Sequence, residues 1–217
     1  MAVVILISGR GSNMRSIVQA ARAGLIPARI AAVISNRPNA AGLDYARSQE
    51  VTTRVVDHTT HAGRRQFEAE LIEEIERHRP GLVVLAGFMR VLTPEFVARF
   101  SGRMLNIHPS LLPRHRGLRT HQRALDAGDT EHGVSVHFVT AELDGGPVVA
   151  QTPVPVVTGD TADTLASRVL AEEHRLYPEV VRWFCEGRLT CAADTVRLDG
   201  EALAEPIRLE FGPVDHA

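Results

Sequence analysis

Continuous runs of Val, Ile, Leu and Ala recur through the first half of the chain, and each is followed by a segment with helical spacing. Ala2 to Ile7, Arg29 to Ser35, Thr52 to Val56, Gly81 to Ala86 and Met104 to Ile107 read as buried strands. Ser12 to Ala23, Ala41 to Gln49, Arg64 to Arg77 and Pro94 to Phe100 read as helices between them. The spacing is clearest in Phe67, Leu71 and Ile75. Alternation with short links predicts an α/β fold: a mostly parallel, Rossmann-like doubly wound sheet with helices on both faces. Such sheets bind ligands beyond the carboxyl ends of their strands. The residues after Ile7, Ala86 and Ile107 therefore gain interest before any motif is read.

The second half changes character. Val134 to Thr140 and Val148 to Val157 are expected to pair as an antiparallel extension, joined by the turn-rich ELDGG. Ala162 to Glu186 is the longest predicted helix, with a kink or break expected at Tyr177-Pro178. Val196 to Leu198 and Ile207 to Phe211 suggest short strands around an Asp199-Gly200 turn. The expected organisation is one domain over residues 1–189 and a tail with short strands over 190–217.

Charge and composition narrow the chemistry. Twenty-four basic and 26 acidic side chains give a net charge of −2, so no basic excess announces nucleic acid or an anionic membrane. Every basic residue is Arg, and the absence of Lys excludes lysine Schiff bases and lysine-based phosphate loops. Cys185 and Cys191 are the only cysteines, too few for a disulfide framework. The start, MAVVILISGRG, has no basic residue before its apolar run, and that run is too short for a signal core or a membrane span. A soluble cytoplasmic protein is expected.

Gly9-Arg10-Gly11-Ser12-Asn13 follows the first strand and opens a helix. Glycines there let a ligand approach the backbone, and free helix N–H groups favour an anion. Met14 stands where a dinucleotide fingerprint needs a third Gly, and the second strand ends without an acid for a ribose diol. Two readings stay open: a phosphate monoester site, or a plain turn with Ser12 capping the helix. Asn106 and His108, two apart at a strand end, share a side and can donate to an oxygen that gains negative charge. Asp144, before Gly145 and Gly146, is either part of an ordinary hairpin turn or a carboxylate that folds back over that strand end. Ten histidines raise the question of metal, but neither HExxH nor another compact ligand spacing occurs, so no metal is expected. His132 and His137 are expected on opposite sides of one strand.

Six segments together resemble one family: ISGRGSNM, SNRPNAAGL, LAGFMRVL, MLNIHPSLLP, EHGVSVHFVTAELDGGPVVAQ and EEHRLYPEVVRWFCEGRL. The chain is similar, from Val3 to about Leu189, to the glycinamide ribonucleotide formyltransferases of purine synthesis. The resemblance implies the formyltransferase fold and the transfer of a formyl group from 10-formyltetrahydrofolate to the glycyl amine of the ribonucleotide. It implies Asn106, His108 and Asp144 as the catalytic residues. It places the substrate phosphate at Gly11, Ser12 and Asn13, and the ribose at Glu173. It places the folate at Arg64, Met89, Arg90, Val91, Leu92, Asn106 and the segment Thr140, Ala141, Glu142, Leu143 and Asp144. Small-molecule substrates, a monomer or homodimer, and neither nucleic acid nor membrane are the implied partners. Two positions depart from the family: His115 where an aromatic is common, and Arg119 where a His is common.

Related folate enzymes give rival readings. A methionyl-tRNA formyltransferase is expected to carry a further carboxyl-terminal domain and a basic face. A formyltetrahydrofolate deformylase shares the catalytic core but is expected to carry an additional amino-terminal domain. A non-catalytic sensor of sugar phosphate or folate would not need Asn106, His108 and Asp144 together.

Overall fold

The structure, a computed structural model, describes residues 1–212; the end of the predicted tail, 213–217, lies outside the described residues. The first half alternates as predicted: β1 (Ala2–Ile7), α1 (Ser12–Arg22), β2 (Arg29–Ser35), α2 (Gly42–Ser48), β3 (Thr53–Val55), α3 (Arg64–Arg77), β4 (Leu82–Leu85), α4 (Pro94–Arg99) and β5 (Met104–His108). Then come α5 (Thr120–Asp126), β6 (Glu131–Phe138), β7 (Val148–Pro155), α6 (Ala162–Cys185), β8 (Leu189–Ala192), β9 (Thr195–Leu198), β10 (Glu201–Ala202) and β11 (Ile207–Arg208).

The main sheet has the order β11-β7-β6-β5-β4-β1-β2-β3. Strands β1 to β5 pair in parallel, and β6 and β7 run antiparallel as the extension. The central strands β1 and β4 are apolar throughout because both faces are covered. Val3, Ile5 and Ile7 join one core with α1, α2 and α6, while Val4 and Leu6 join a second core with α3 and α4. Chain order reverses at β1, which lies between β2 and β4. The Gly9–Asn13 turn therefore leaves the sheet at its switch point, where such folds hold ligands.

Several elements differ from the expectation. Helix α6 continues through Pro178 without a break. Proline removes one helical N–H, but Leu176, Tyr177, Val180 and Val181 are fully buried around it, and packing outweighs that loss. The buried Tyr177 hydroxyl lies 2.9 Å from the carbonyls of both Leu85 and Leu105. Strand β6 starts at Glu131 rather than Val134. Gly133, which weakened the strand pattern, sits where a Cβ would stand 2.2 Å from the Thr152 carbonyl oxygen. The short α5 and β8 carried no readable period. The terminal pieces do not pair with one another alone. β8, β9 and β10 form a small antiparallel sheet, and β11 adds in parallel to the β7 edge. Among the described residues no helix is long and apolar enough to cross a membrane.

Candidate active site

Strand β5 closes the parallel part of the sheet, and its last residues face β6. Asn106 is paired with His137 and His108 with Ser135. Asp144 arrives from the loop after β6, and its left-handed backbone (φ 48°) turns the chain back over the end of β5. Gly146 makes that return possible, since a Cβ there would lie 1.9 Å from the Phe138 carbonyl oxygen. The loop is thus a fold-back over the strand end, the alternative to an ordinary hairpin turn.

His108 is 6% exposed. Its Nδ1 lies 3.4 Å from Asp144 Oδ2, and its Nε2 lies 3.0 Å from the His115 carbonyl oxygen. The Gly117 backbone N–H donates to the same Asp144 oxygen at 2.9 Å. The His115 carbonyl can only accept, so Nε2 carries a proton, and Nδ1 faces the Asp144 carboxylate at ion-pair distance. Asn106 is held differently. His137 Nδ1 lies 2.9 Å from the Phe138 carbonyl, which can only accept, so Nδ1 carries the proton. His137 Nε2 is then the acceptor for the Asn106 amide at 3.0 Å. Burial holds the His137 pKa below its ordinary value and keeps the ring neutral for this task. The sequence did not reveal His137. Its only signal was a place on a strand whose second neighbour, β5, was not fixed.

A cavity opens beside these groups. Arg90, Val91, Leu92, Asn106 and Thr140 to Asp144 line it, together with Leu85, Phe88, Val97, His137 and Val139. The expected folate residues therefore share one cavity, except two. Arg64 opens α3 away from the lining, and Met89 is exposed. Apolar walls that end at Asn106, His137 and Asp144 suit a flat heteroaromatic with a polar edge.

A second group forms where α1 meets α6. Gly11 takes a left-handed conformation (φ 69°), and no side chain caps the helix. Ser12 is the first helical residue and not the cap, which removes the capping alternative and leaves the first-turn N–H groups without a side-chain partner. Asn13 Nδ2 donates to Glu173 Oε2 at 2.5 Å, and both residues are buried. Burial pushes the Glu173 carboxyl up, against the opposing effect of the Asn13 bond. Asn13 Oδ1 is buried with no hydrogen-bond partner among the described residues.

The two unusual positions look different in three dimensions. His115 (φ 52°) offers His108 its backbone carbonyl, while its ring turns away to Asp129, 2.6 Å from Nε2 to Oδ2. Arg119 precedes α5 as its N-cap, also left-handed. At His115 the backbone carbonyl serves the site, and the ring does not.

Two further histidines, His121 and His132, pack together, with the His115 ring beside them. His132 Nε2 and His121 Nδ1 are 3.2 Å apart. Among the described residues no three His, Cys, Asp or Glu side chains are placed to hold a metal ion. Burial, helped by His121 and His115, lowers the His132 pKa from 6.5 to about 4. The unfolded chain therefore binds more protons between those two values, and stability falls as pH drops through that window. His132→Gln is expected to flatten this limb in a plot of urea midpoint against pH. An unchanged slope would remove His132 as a source of acid sensitivity.

The chain matches the formyl transferase family over residues 1–181. It belongs to that family. It is 49% identical over 203 residues to the phosphoribosylglycinamide formyltransferase of Escherichia coli (strain K12), covering 94% of this chain and 96% of that protein. The solved phosphoribosylglycinamide formyltransferase of Coxiella burnetii superimposes with a TM-score of 0.93 at 47% identity, over 97% of this chain and 99% of that one. A formyltetrahydrofolate deformylase from Burkholderia mallei gives a TM-score of 0.82 at 27% identity, over 91% of this chain and 69% of the deformylase.

Proposed function

We propose that this member of the formyl transferase family moves a formyl group from 10-formyltetrahydrofolate to the glycyl amine of 5'-phosphoribosylglycinamide. The products are N-formylglycinamide ribonucleotide and tetrahydrofolate. The observation that carries the reading is the placing of Asn106, His108 and Asp144 beside a cavity lined by Arg90 to Leu92 and Thr140 to Asp144. The high identity to phosphoribosylglycinamide formyltransferases supports it over the deformylase, which is a more distant likeness.

The folate supplies the formyl carbon and a leaving nitrogen. Asn106 offers an amide N–H to the formyl oxygen as it gains negative charge, and His137 holds the amide in that orientation. His108 donates toward the same oxygen from Nε2–H, which leaves the His115 carbonyl for the substrate, while Nδ1 stays on Asp144. Asp144 pairs with the imidazole and, directly or through water, carries the proton lost by the attacking amine to the leaving folate nitrogen. Gly11, Ser12 and Asn13 hold the phosphate at the uncapped start of α1, and Glu173 meets the ribose hydroxyls. Residues 1–189 form the transferase unit and 190–217 its appendage. The protein works in the cytoplasm as a monomer or homodimer.

The deciding assay follows formyl loss from 10-formyltetrahydrofolate with and without the ribonucleotide. Loss that requires the ribonucleotide is expected; equal loss in its absence means a deformylase. Asn13→Leu is expected to weaken ribonucleotide binding at least about tenfold, the scale of one lost buried hydrogen bond, and to spare folate. Separate titrations of the two ligands check this, and equal weakening of both would move the phosphate elsewhere.

A further inference from the structure

The cavity wall from Phe88 to Leu92 belongs to neither a helix nor a strand. Backbone in such a segment has no ladder to fix it, so its shape depends on side chains that satisfy its N–H groups. One side chain does so inside the wall, and a second does so at Thr93, the residue just beyond it. The Met89 N–H donates to Ser8 Oγ at 2.8 Å, and Ser8 donates to Asn36 Oδ1 at 2.5 Å. At the other end stands Glu68, a carboxylate on α3 that is 3% exposed. One of its oxygens accepts the Thr93 N–H at 3.0 Å, and the other accepts the Thr93 hydroxyl. Thr93 in turn caps α4 through Phe96 N. Beside Glu68 on α3, the Phe67 ring lies 6.0 Å from the Arg90 guanidinium.

We infer that Glu68 is a positioning residue for the formyl donor, acting through Thr93 to hold the wall Phe88–Leu92 in its folate-binding shape. Glu68 does not line the cavity. Its buried charge, spent on both donors of a single residue, is an unusual way to join two helices, because a buried carboxylate is costly unless hydrogen bonds meet it. The position of Thr93, one residue beyond the wall, gives that cost a use. This inference rests on the folate reading of the cavity.

The test measures separate dissociation constants for a folate analogue and the ribonucleotide, with steady-state kinetics, on Glu68→Ala, Glu68→Gln and Thr93→Val, and on Thr93→Ser as the conservative rescue. The expected result for Glu68→Ala is a rise of about tenfold in folate Kd and KM, since two buried donors lose a charged acceptor. Ribonucleotide Kd and kcat at saturating folate should stay within about twofold, below the effect of one lost hydrogen bond. Glu68→Gln, which keeps the shape and one acceptor, and Thr93→Val should each give part of the rise, and Thr93→Ser should restore binding. Equal weakening of both ligands, or unchanged folate binding across the series, overturns the inference. If Glu68→Ala does not fold, Glu68→Gln and Thr93→Val decide by the same criteria. Val91→Asp separates this failure from a failure of the cavity reading, because Val91 lines the cavity and is 51% exposed. Normal folate binding by Val91→Asp would remove the folate from this cavity. Weak binding by Val91→Asp beside normal binding by the Glu68 variants would remove only the role of Glu68.

Discussion

His108→Ala is expected to lower kcat about a hundredfold or more, the usual scale for losing a donor to a developing oxyanion. The argument rests on when the interaction acts. A donor aimed at charge that appears during reaction contributes little to the ground state and much to the transition state. Dissociation constants for both substrates should therefore move far less than kcat. The surroundings make the substitution clean. Without the imidazole, Asp144 keeps its bond from the Gly117 N–H, so the loop retains an anchor and the loss reads as chemistry. Asn106 keeps His137 and remains oriented, so a residual rate above the uncatalysed reaction is expected. A variant with normal kcat and weakened binding would make His108 a structural or substrate-positioning group.

Gly146→Ala should be nearly as damaging, without touching a reacting group. The new Cβ would meet the Phe138 carbonyl oxygen at 1.9 Å, and neither atom can rotate away, because one is backbone and the other is fixed by it. Phe138 ends β6, whose neighbour β5 carries Asn106 and His108, so the loop has to yield rather than the strand. Asp144 lies two residues earlier on that loop. A shift of about 1 Å in a positioned group can cost about a hundredfold in rate. Gly145→Ala is the control. The atoms nearest its Cβ belong to the Glu142 side chain, which is exposed and can swing aside, so activity should fall much less. Equal rates for the two variants would mean that the loop's return path is not what places Asp144.

The β1-to-β5 half was legible because its central strands β1 and β4 are buried on both faces and helices such as α1 and α3 are amphipathic. Periodicity reports such elements directly. The fate of Pro178 was not legible, because the tertiary packing that keeps α6 whole is not a local signal. His137 was missed for a related reason. Its role depends on lying opposite Asn106 across two strands that are 31 residues apart at this pair, and register is set by the assembled sheet. The juxtaposition of Asp144 with His108 followed from the resemblance; spacing alone left it open. The acceptor at His115 could not be read from side chains at all, because the group that serves the site is its carbonyl.

Tyr177 has a mechanical consequence. It lies one helical turn after Glu173 on α6, and its hydroxyl reaches the carbonyl that ends β4 and the carbonyl next to Asn106 on β5. The helix proposed to hold the acceptor and the strands that lead into the donor cavity are thereby riveted at one buried atom. Such a joint transmits displacement instead of absorbing it, since close-packed interiors deform little. The span between acceptor and donor is then a fixed gauge built into the sheet. The two substrates meet at a distance set by folding, and neither has to drag a hinge shut to reach the other.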